Sequence, residues 1–388
     1  MQRLLGSSTW WLIAIAVAGI VLAATCRPVR ELTSTANPLS QEINLVYLSG
    51  LLPDDVVEEF QSEFGIRVNR TRVHSNDALL RAVGRKEGKP FDLAMPTSFM
   101  ANRLIEQKML RRFTPDRLTN LPPAESNPHV YAFDKEARFT VPYLRGATGI
   151  AYDRDGIDGL PKSWSRLFEP DVQHPLKIAL MDDLRYTLGS ALIYLGHSPN
   201  SRNKAEIVAA GELLKRLAGR EVYFESEHVA AMLADRTVDL ALTRSADATK
   251  AMQQSVLYWR EHGRRTMKER AKVLMALPEE GSITFRAGFV LLESTQNQSG
   301  AENFVNFMLR PRIAGRVSNQ TFCATAVEYA TPYVSRFIIN SASYFFHPAG
   351  KDFRIDFVTA EVEEIYREVW EDVKRTLGAR KYTPPARK

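Results

Sequence analysis

A rhythm of short apolar runs and amphipathic helices occurs twice in this chain, and each series is broken by one long extended segment. That alternation constrains the fold more than any other feature. The first series opens with the strand pattern "INLVYL" (43–48). After the turn "SGLL", Pro53 suits a first helical turn, and Asp54 and Asp55 favour the positive helix end. Val56, Phe60 and Phe64 share a face until Gly65 stops the helix. "IRVNRTRV" reads as a second strand, "NDALLRAVGRKEG" as a helix and "FDLAMP" (91–96) as a third strand. In "TSFMANRLIEQKML" Thr97 and Ser98 form a cap, and Ala101, Leu104, Ile105 and Met109 stack on one face. Strand–helix repeats of this kind predict a parallel sheet covered on both sides.

"VPYLRGATGIAYDRD" (141–155) breaks the rhythm as an extended segment, and the Trp-containing turn "LPKSWSRLFEP" follows. A second series begins at "LKIALMDD" (176–183). It runs through the helix "KAEIVAAGELLKRLAG", the strand "EVYF", the helix "SEHVAAMLAD" and the strand "VDLALTRS" (238–245). "ITFRAGFVLLES" (283–294) is again extended. "GAENFVNFMLRPRIAGRVSN" is helical and restarts at Pro311. "TAEVEEIYREVWEDVKRTLG" is the last helix, with Val362, Ile365, Val369 and Val373 on one face, and "ARKYTPPARK" (379–388) reads as a disordered basic tail. At 388 residues the chain exceeds one small core, and 45% apolar with 25% charged residues is an ordinary globular balance. The expected architecture is α/β and two-lobed, with a cleft between lobes joined by two crossing strands.

The N-terminus adds a location. Met1-Gln2-Arg3 precedes the apolar run "WWLIAIAVAGIVLAATC", which reads as a secretion signal and is also long enough for a membrane anchor. Residues 27–42 are polar and rich in Pro, Ser and Thr, as in a tether. Cys26 ends the apolar run in a pattern that resembles the lipobox of bacterial lipoproteins, with Thr25 where a smaller residue is usual. The resemblance implies acylation of Cys26. Loss with a cleaved peptide and retention in an uncleaved anchor are the alternatives. Cys323 in "TFCAT" reads as a small buried hydrophobe.

Several function classes lack support. The net charge of +6 is dispersed, and no zinc-ligand or aromatic–basic motif argues for nucleic acid. The seven histidines show no metal spacing, and H-E-x-x-H, a phosphate loop and G-x-S-x-G are missing from the sequence. No cofactor is implied, and no acid–base or nucleophile set points to an enzyme. The basic stretch "YWREHGRRTMKERAK" (258–272) reads as a solvated face, with contact to acidic lipid heads or a membrane partner as the sharper alternative. "SASYFFHP" (341–348) reads as core packing rather than ligand stacking.

The segments "LVYLSGLLPDDVVEEFQSEFGIRV", "FDLAMPTSFMANRLIEQKMLRRF", "VPYLRGATGIAYD", "SWSRLFEP", "LMDDLR", "VDLALTRSADA" and "FVNFMLRP" stand in an order and spacing that resemble the extracellular solute-binding proteins of bacterial ABC transporters, nearest the spermidine/putrescine branch. The resemblance implies a type II periplasmic-binding-protein fold and a monomer that holds a small solute between its lobes and docks on an inner-membrane permease. It places lobe 1 at 43–144 and 288–325 and lobe 2 at 145–287 and 326–378. Gly146, Gly149 and Gly288 become hinge candidates, each with an ordinary turn or close packing as the alternative.

Carried over position by position, the expected ligand set is Leu48, Ser49, Thr97, Phe99, Asp183, Tyr186, Arg244 and Phe285. Leu48 and Leu51 stand where polyamine binders carry rings. Phe99 replaces a tyrosine, Tyr186 an acid, Arg244 a tryptophan and Ala287 an acid. A polyammonium needs carboxylates and aromatic faces, so these changes favour an anionic or zwitterionic ligand. Arg244 either meets an anion or pairs internally with Asp183, Asp247 or Glu225. The alternative function is a sensor or docking protein on the same scaffold without a transport role.

Overall fold

The computed structural model describes residues 41–85, 87–169, 175–262, 272–344 and 351–378, with Arg380 and Tyr382. The leader with Cys26, the tether to residue 40, residues 263–271 of the basic stretch, 345–348 of the aromatic stretch and most of the tail lie outside the described residues.

The first series contains β1 (Glu42–Leu48), α1 (Asp54–Phe64), β2 (Arg67–Val73), α2 (Asn76–Val83), β3 (Leu93–Met95), α3 (Ser98–Glu106) and β4 (Leu110–Arg111). The long strand β5 (Thr140–Asp153) leads to α4 (Ser165–Phe168), β6 (Ile178–Leu180), α5 (Leu184–Tyr194) and α6 (Lys204–Lys215). Next come β7 (Val222–Phe224), α7 (Val229–Ala234), β8 (Leu240–Arg244), α8 (Ser245–His262), β9 (Val273–Ala276) and β10 (Ser282–Leu292). The chain closes with α9 (Gln298–Met308), α10 (Pro311–Thr321), β11 (Ala324–Thr325), α11 (Arg336–Ile339), β12 (Asp352–Arg354) and α12 (Ala360–Leu377).

The strands run in the order β2-β1-β3-β10-β5-β8-β6-β7. β1 pairs in parallel with β2 and β3, and β10 lies antiparallel against β3 with Val290 opposite Ala94. The second series repeats the plan: β6 pairs in parallel with β7 and β8, and β5 lies antiparallel against β8 with Gly149 opposite Thr243. Each half thus has a 2-1-3 order completed by a strand from the other series. β5 makes the exchange within one strand, since residues 140–147 pair with β10 and 148–153 with β8 and β9. These are the two expected crossings, and β10 shifts register between Ala287 and Gly288.

Local sequence explains the elements that frame the cleft. α1 starts after Pro53 in an extended conformation, buries Val56, Val57 and Phe60, and stops at Gly65, whose φ is +67°. Phe60 meets Phe304 of α9 edge-on at 5.0 Å, which ties the first helix to the last part of the first half. Complete burial of such a ring contributes about 2–3 kcal/mol. In the second half Trp164 is fully buried and donates its indole N–H to the Gly281 carbonyl at 2.9 Å.

Two sequence expectations need correction. α2 ends at Val83 and not near Gly88, because Gly84 already caps it with its N–H on the Leu80 and Ala82 carbonyls. On α12 the buried positions are Tyr366, Trp370 and Val373, while Val362, Ile365 and Val369 are only partly covered. The aromatic pair sets the seam because Trp370 meets Phe224 edge-on at 5.1 Å and the Tyr366 hydroxyl donates to the Ser201 carbonyl at 3.0 Å.

Candidate functional site

A 2-1-3 order sends the chain from the first strand in opposite directions, and such a reversal opens a crevice beyond the carboxyl ends of the strands. Each half has one such reversal, and the expected ligand residues lie at or just after the ends of its strands. Leu48 ends β1, Thr97 follows β3, Asp183 follows β6 and Arg244 ends β8.

In the first half the loop after β1 is held by the Ser49 N–H, which donates to the Val73 carbonyl at 2.8 Å. The Ser49 hydroxyl makes no hydrogen bond among the described residues, and Leu51 is buried in the core rather than facing a solute. Leu48 and Phe99 are half-buried and pack against the same two apolar clusters. Thr97 occupies the N-cap position of α3, but its side chain makes no cap hydrogen bond, contrary to the sequence reading. Its N–H instead donates to Asn76 Oδ1 at 3.2 Å, and the residue bridges to Ala287 of β10. Thr97 is 7% exposed and its Oγ1 has no hydrogen-bond partner among the described residues.

In the second half the two acids of "MDD" separate in role. Asp182 takes an ion pair from Lys374 of α12 at 2.8 Å and turns outward. Asp183 caps α5, with Oδ1 accepting from the N–H groups of Arg185 at 3.0 Å and Tyr186 at 3.2 Å. Burial raises the Asp183 carboxyl above the usual range, against the lowering effect of those two donors. Tyr186 is buried, and its phenol is pushed up by burial and by Asp183 and pulled down by Arg244. A carboxylate and a guanidinium therefore act on the same phenol with opposite sign. Arg244 gives its Nε–H to Asp247 at 2.8 Å, the internal pairing named among the alternatives, and that charge raises its pKa. The terminal nitrogens of Arg244 have no partner among the described residues. Phe285 lies opposite Gly146 in the paired crossing strands and is buried beside Ser245.

The sequence reading did not name two residues at the start of α2 that act on this set. Asn76 holds the Thr97 backbone, and the Asp77 charge raises the Asp183 carboxyl from the other half. The signal was the Ser75-Asn76-Asp77 helix start, whose Ser75 hydroxyl accepts from Ala78 N–H at 3.1 Å. Contacts between the halves also arise at the rim, where His74 pairs with Glu227 and Arg103 lies over the Phe357 ring at 5.4 Å. Among the described residues no group of three or more His, Cys, Asp or Glu is placed to hold a metal, and no helix is long and apolar enough to cross a membrane.

Comparison with known proteins agrees with this geometry. A family model described as bacterial extracellular solute-binding protein matches residues 55–328. The spermidine/putrescine-binding periplasmic protein of Salmonella typhimurium is 28% identical over 284 residues, 72% of this chain and 74% of that protein. A putrescine-binding periplasmic protein of Escherichia coli is 25% identical over 386 residues, 94% of this chain and 97% of that one. The spermidine/putrescine ABC transporter substrate-binding protein of Streptococcus pneumoniae superposes with a TM-score of 0.67 at 20% identity, covering 87% of this chain and 99% of that one. The fold is that of the type II periplasmic binding proteins.

Proposed function

The chain belongs to the bacterial extracellular solute-binding proteins, components of ABC transporters, and from that premise we propose that it delivers a small zwitterion, not a long polyamine, to a membrane permease. The observation that carries this reading is the placement of opposite charges on neighbouring paired strands, Asp183 after β6 and Arg244 at the end of β8. Asp183 offers its second oxygen to an amine, with Asp77 reinforcing the negative field from the facing half. Arg244 offers its terminal N–H groups to a carboxylate or another acid group, a planar match that lysine lacks. The Thr97 and Ser49 hydroxyls supply the polar contacts of the first half.

Closure then follows from contacts that favour the closed arrangement over the open one. β5 and β10 act as hinges near Gly146, Gly149 and the register shift at Gly288, between a lobe of 43–144 with 288–325 and a lobe of 145–287 with 326–378. The N-terminal segment holds the body at the outer face of the inner membrane, by a lipid on Cys26 or by an anchor.

A thermal-shift panel tests the ligand class, since binding to the native state raises its melting temperature. Amino acids and related amine–acid compounds are expected to raise it, with the shift lost in Arg244→Ala and in Asp183→Asn. Micromolar spermidine or putrescine binding that persists in Arg244→Ala would overturn the zwitterion reading. No shift with any solute would favour a sensing role for the scaffold.

A further inference from the structure

The two halves also touch away from the strands that join them. Arg103 of α3 lies over the Phe357 ring, with its guanidinium carbon 5.4 Å from the centroid, and His74 after β2 pairs with Glu227 after β7. Arg103 belongs to the first half, since Met100, Ala101 and Leu104 of its helix are buried in the cluster that holds Val46 and Ala94. Phe357 belongs to the second half, in the stretch between β12 and α12. Each contact therefore exists only while the halves stand together. The first is the stronger, because the His74 and Glu227 side chains are at least half exposed, and pairs so open to water contribute little.

Phe357 is held out for this contact. Ile355 and Val358 near it are buried, whereas Phe357 is 38% exposed. Three hydrogen bonds fix the backbone beside it to the second half. Asn200 donates to the Arg354 carbonyl at 2.7 Å, the Asp356 N–H donates to Asn200 Oδ1 at 2.8 Å, and Arg185 donates to the Asp356 carbonyl at 3.2 Å. Arg103 makes no ion pair among the described residues, and its Nε is buried there without a hydrogen-bond partner. A partly desolvated cation over a ring face gains more than an exposed one. Both sides of the contact lead back to the expected solute residues. Arg103 follows Thr97 on α3, about 9 Å along the helix axis. Arg185, which holds the Phe357 segment, gives its N–H to Asp183 at 3.0 Å.

We propose that Arg103 and Phe357 clasp the closed arrangement, so that two residues outside the solute contacts set how tightly the cleft holds a solute. They are positioning residues that act through closure. The contact favours the closed form before a solute arrives, and apparent affinity rises with the fraction of molecules already closed. A solute thick enough to keep the halves apart forfeits the ring contact, so the clasp also discriminates by size. This inference rests on the lobe closure of the proposed function and is independent of the charge of the solute.

The test needs no solute, so its failure is distinct from failure of the zwitterion reading. Spin labels on Arg85→Cys in the first half and Arg216→Cys in the second, both exposed positions, report the distance between the halves in the full chain. Cys26→Ser then leaves the buried Cys323 as the only native thiol. A dominant short-distance population is expected without solute. In Arg103→Ala and in Phe357→Ala a longer population should grow, with the closed-to-open ratio falling about threefold, the size of a partly exposed cation–π contact. The Arg103→Ala/Phe357→Ala double variant should open no further than either single one. Phe357→Leu keeps apolar bulk without the ring face and should open like Phe357→Ala, while Arg103→Lys should open less. Melting temperatures should stay near the wild-type value, because neither side chain belongs to a core cluster. Absence of the short population in the solute-free wild type overturns the proposal. So do variants that leave the distribution unchanged, or additive effects in the double variant. Opening that tracks an equal fall in melting temperature across all four single variants would be a folding effect and would overturn it too.

Discussion

Replacing Thr97 by valine should stabilise the solute-free protein, the opposite of what most substitutions do. Thr97 is 7% exposed and its hydroxyl has no hydrogen-bond partner among the described residues. A buried hydroxyl left without a partner costs about 1–3 kcal/mol. Valine keeps the β-branched shape and the extended backbone (φ −75°, ψ 164°), and it leaves the N–H bond to Asn76 untouched. The low end of that range gives an expected gain of about 1 kcal/mol. Urea unfolding measures it as a higher midpoint with an unchanged slope. The same change removes a contact the solute would use, so affinity should fall about tenfold in the same preparation. A loss of 1 kcal/mol or more in Thr97→Val would mean that the hydroxyl is satisfied in the native protein. Unchanged solute affinity would remove Thr97 from the site.

Three other outcomes follow from the same geometry. An alanine Cβ at Gly146 would lie 2.6 Å from the Phe285 ring and 3.0 Å from Ser245 Oγ, so Gly146→Ala should cost about 1–3 kcal/mol in urea unfolding. Combining it with Phe285→Leu should recover part of that loss, and strict additivity would show that the two residues do not touch in solution. His129 is held near pKa 4, below its usual 6.5, first by burial and then by the charges of Arg145 and Arg286. The unfolded chain therefore takes up a proton that the native state refuses, so this contribution to stability is present above pH 6.5 and is lost as pH falls toward 4. His129→Gln should flatten that part of the stability–pH curve, and an unchanged slope would refute the assignment. At the N-terminus, metabolic labelling with palmitate should disappear in Cys26→Ser, and label that persists would exclude Cys26 as the lipid site.

Periodicity made the long elements legible before any coordinates. The alternation of "INLVYL", the Pro53 and Gly65 boundaries of α1 and the extended character of β5 and β10 all reflect local backbone preference and one-sided burial. β4 and β11 were not legible, because two residues carry no period and only their neighbours make them strands. The site divides in the same way. Asp183 and Arg244 were named by carrying the family's positions onto "MDD" and "LALTRSAD", and the Arg244–Asp247 pair spans three residues at a strand–helix junction. Asp77, His74 and the Arg103–Phe357 contact were missed because each gains its meaning from a partner far along the chain. Thr97 shows the reverse error. A threonine before a helix reads as a cap, and only the surrounding packing leaves its hydroxyl without that role.

The exchange of β5 and β10 between halves bears on how the molecule is made. β3 has β1 on one side and β10 on the other, and β10 ends at residue 292 of 388. During synthesis the edge of β3 next to Leu93 and Ala94 therefore stays open until three quarters of the chain has emerged, about 75% by residue count. A fragment that stops at residue 144 would carry that apolar edge permanently and should aggregate. The amino-terminal half is thus no module that ribosome or gene fusion can complete by itself, and its assembly must wait for a strand encoded near the far end of the message.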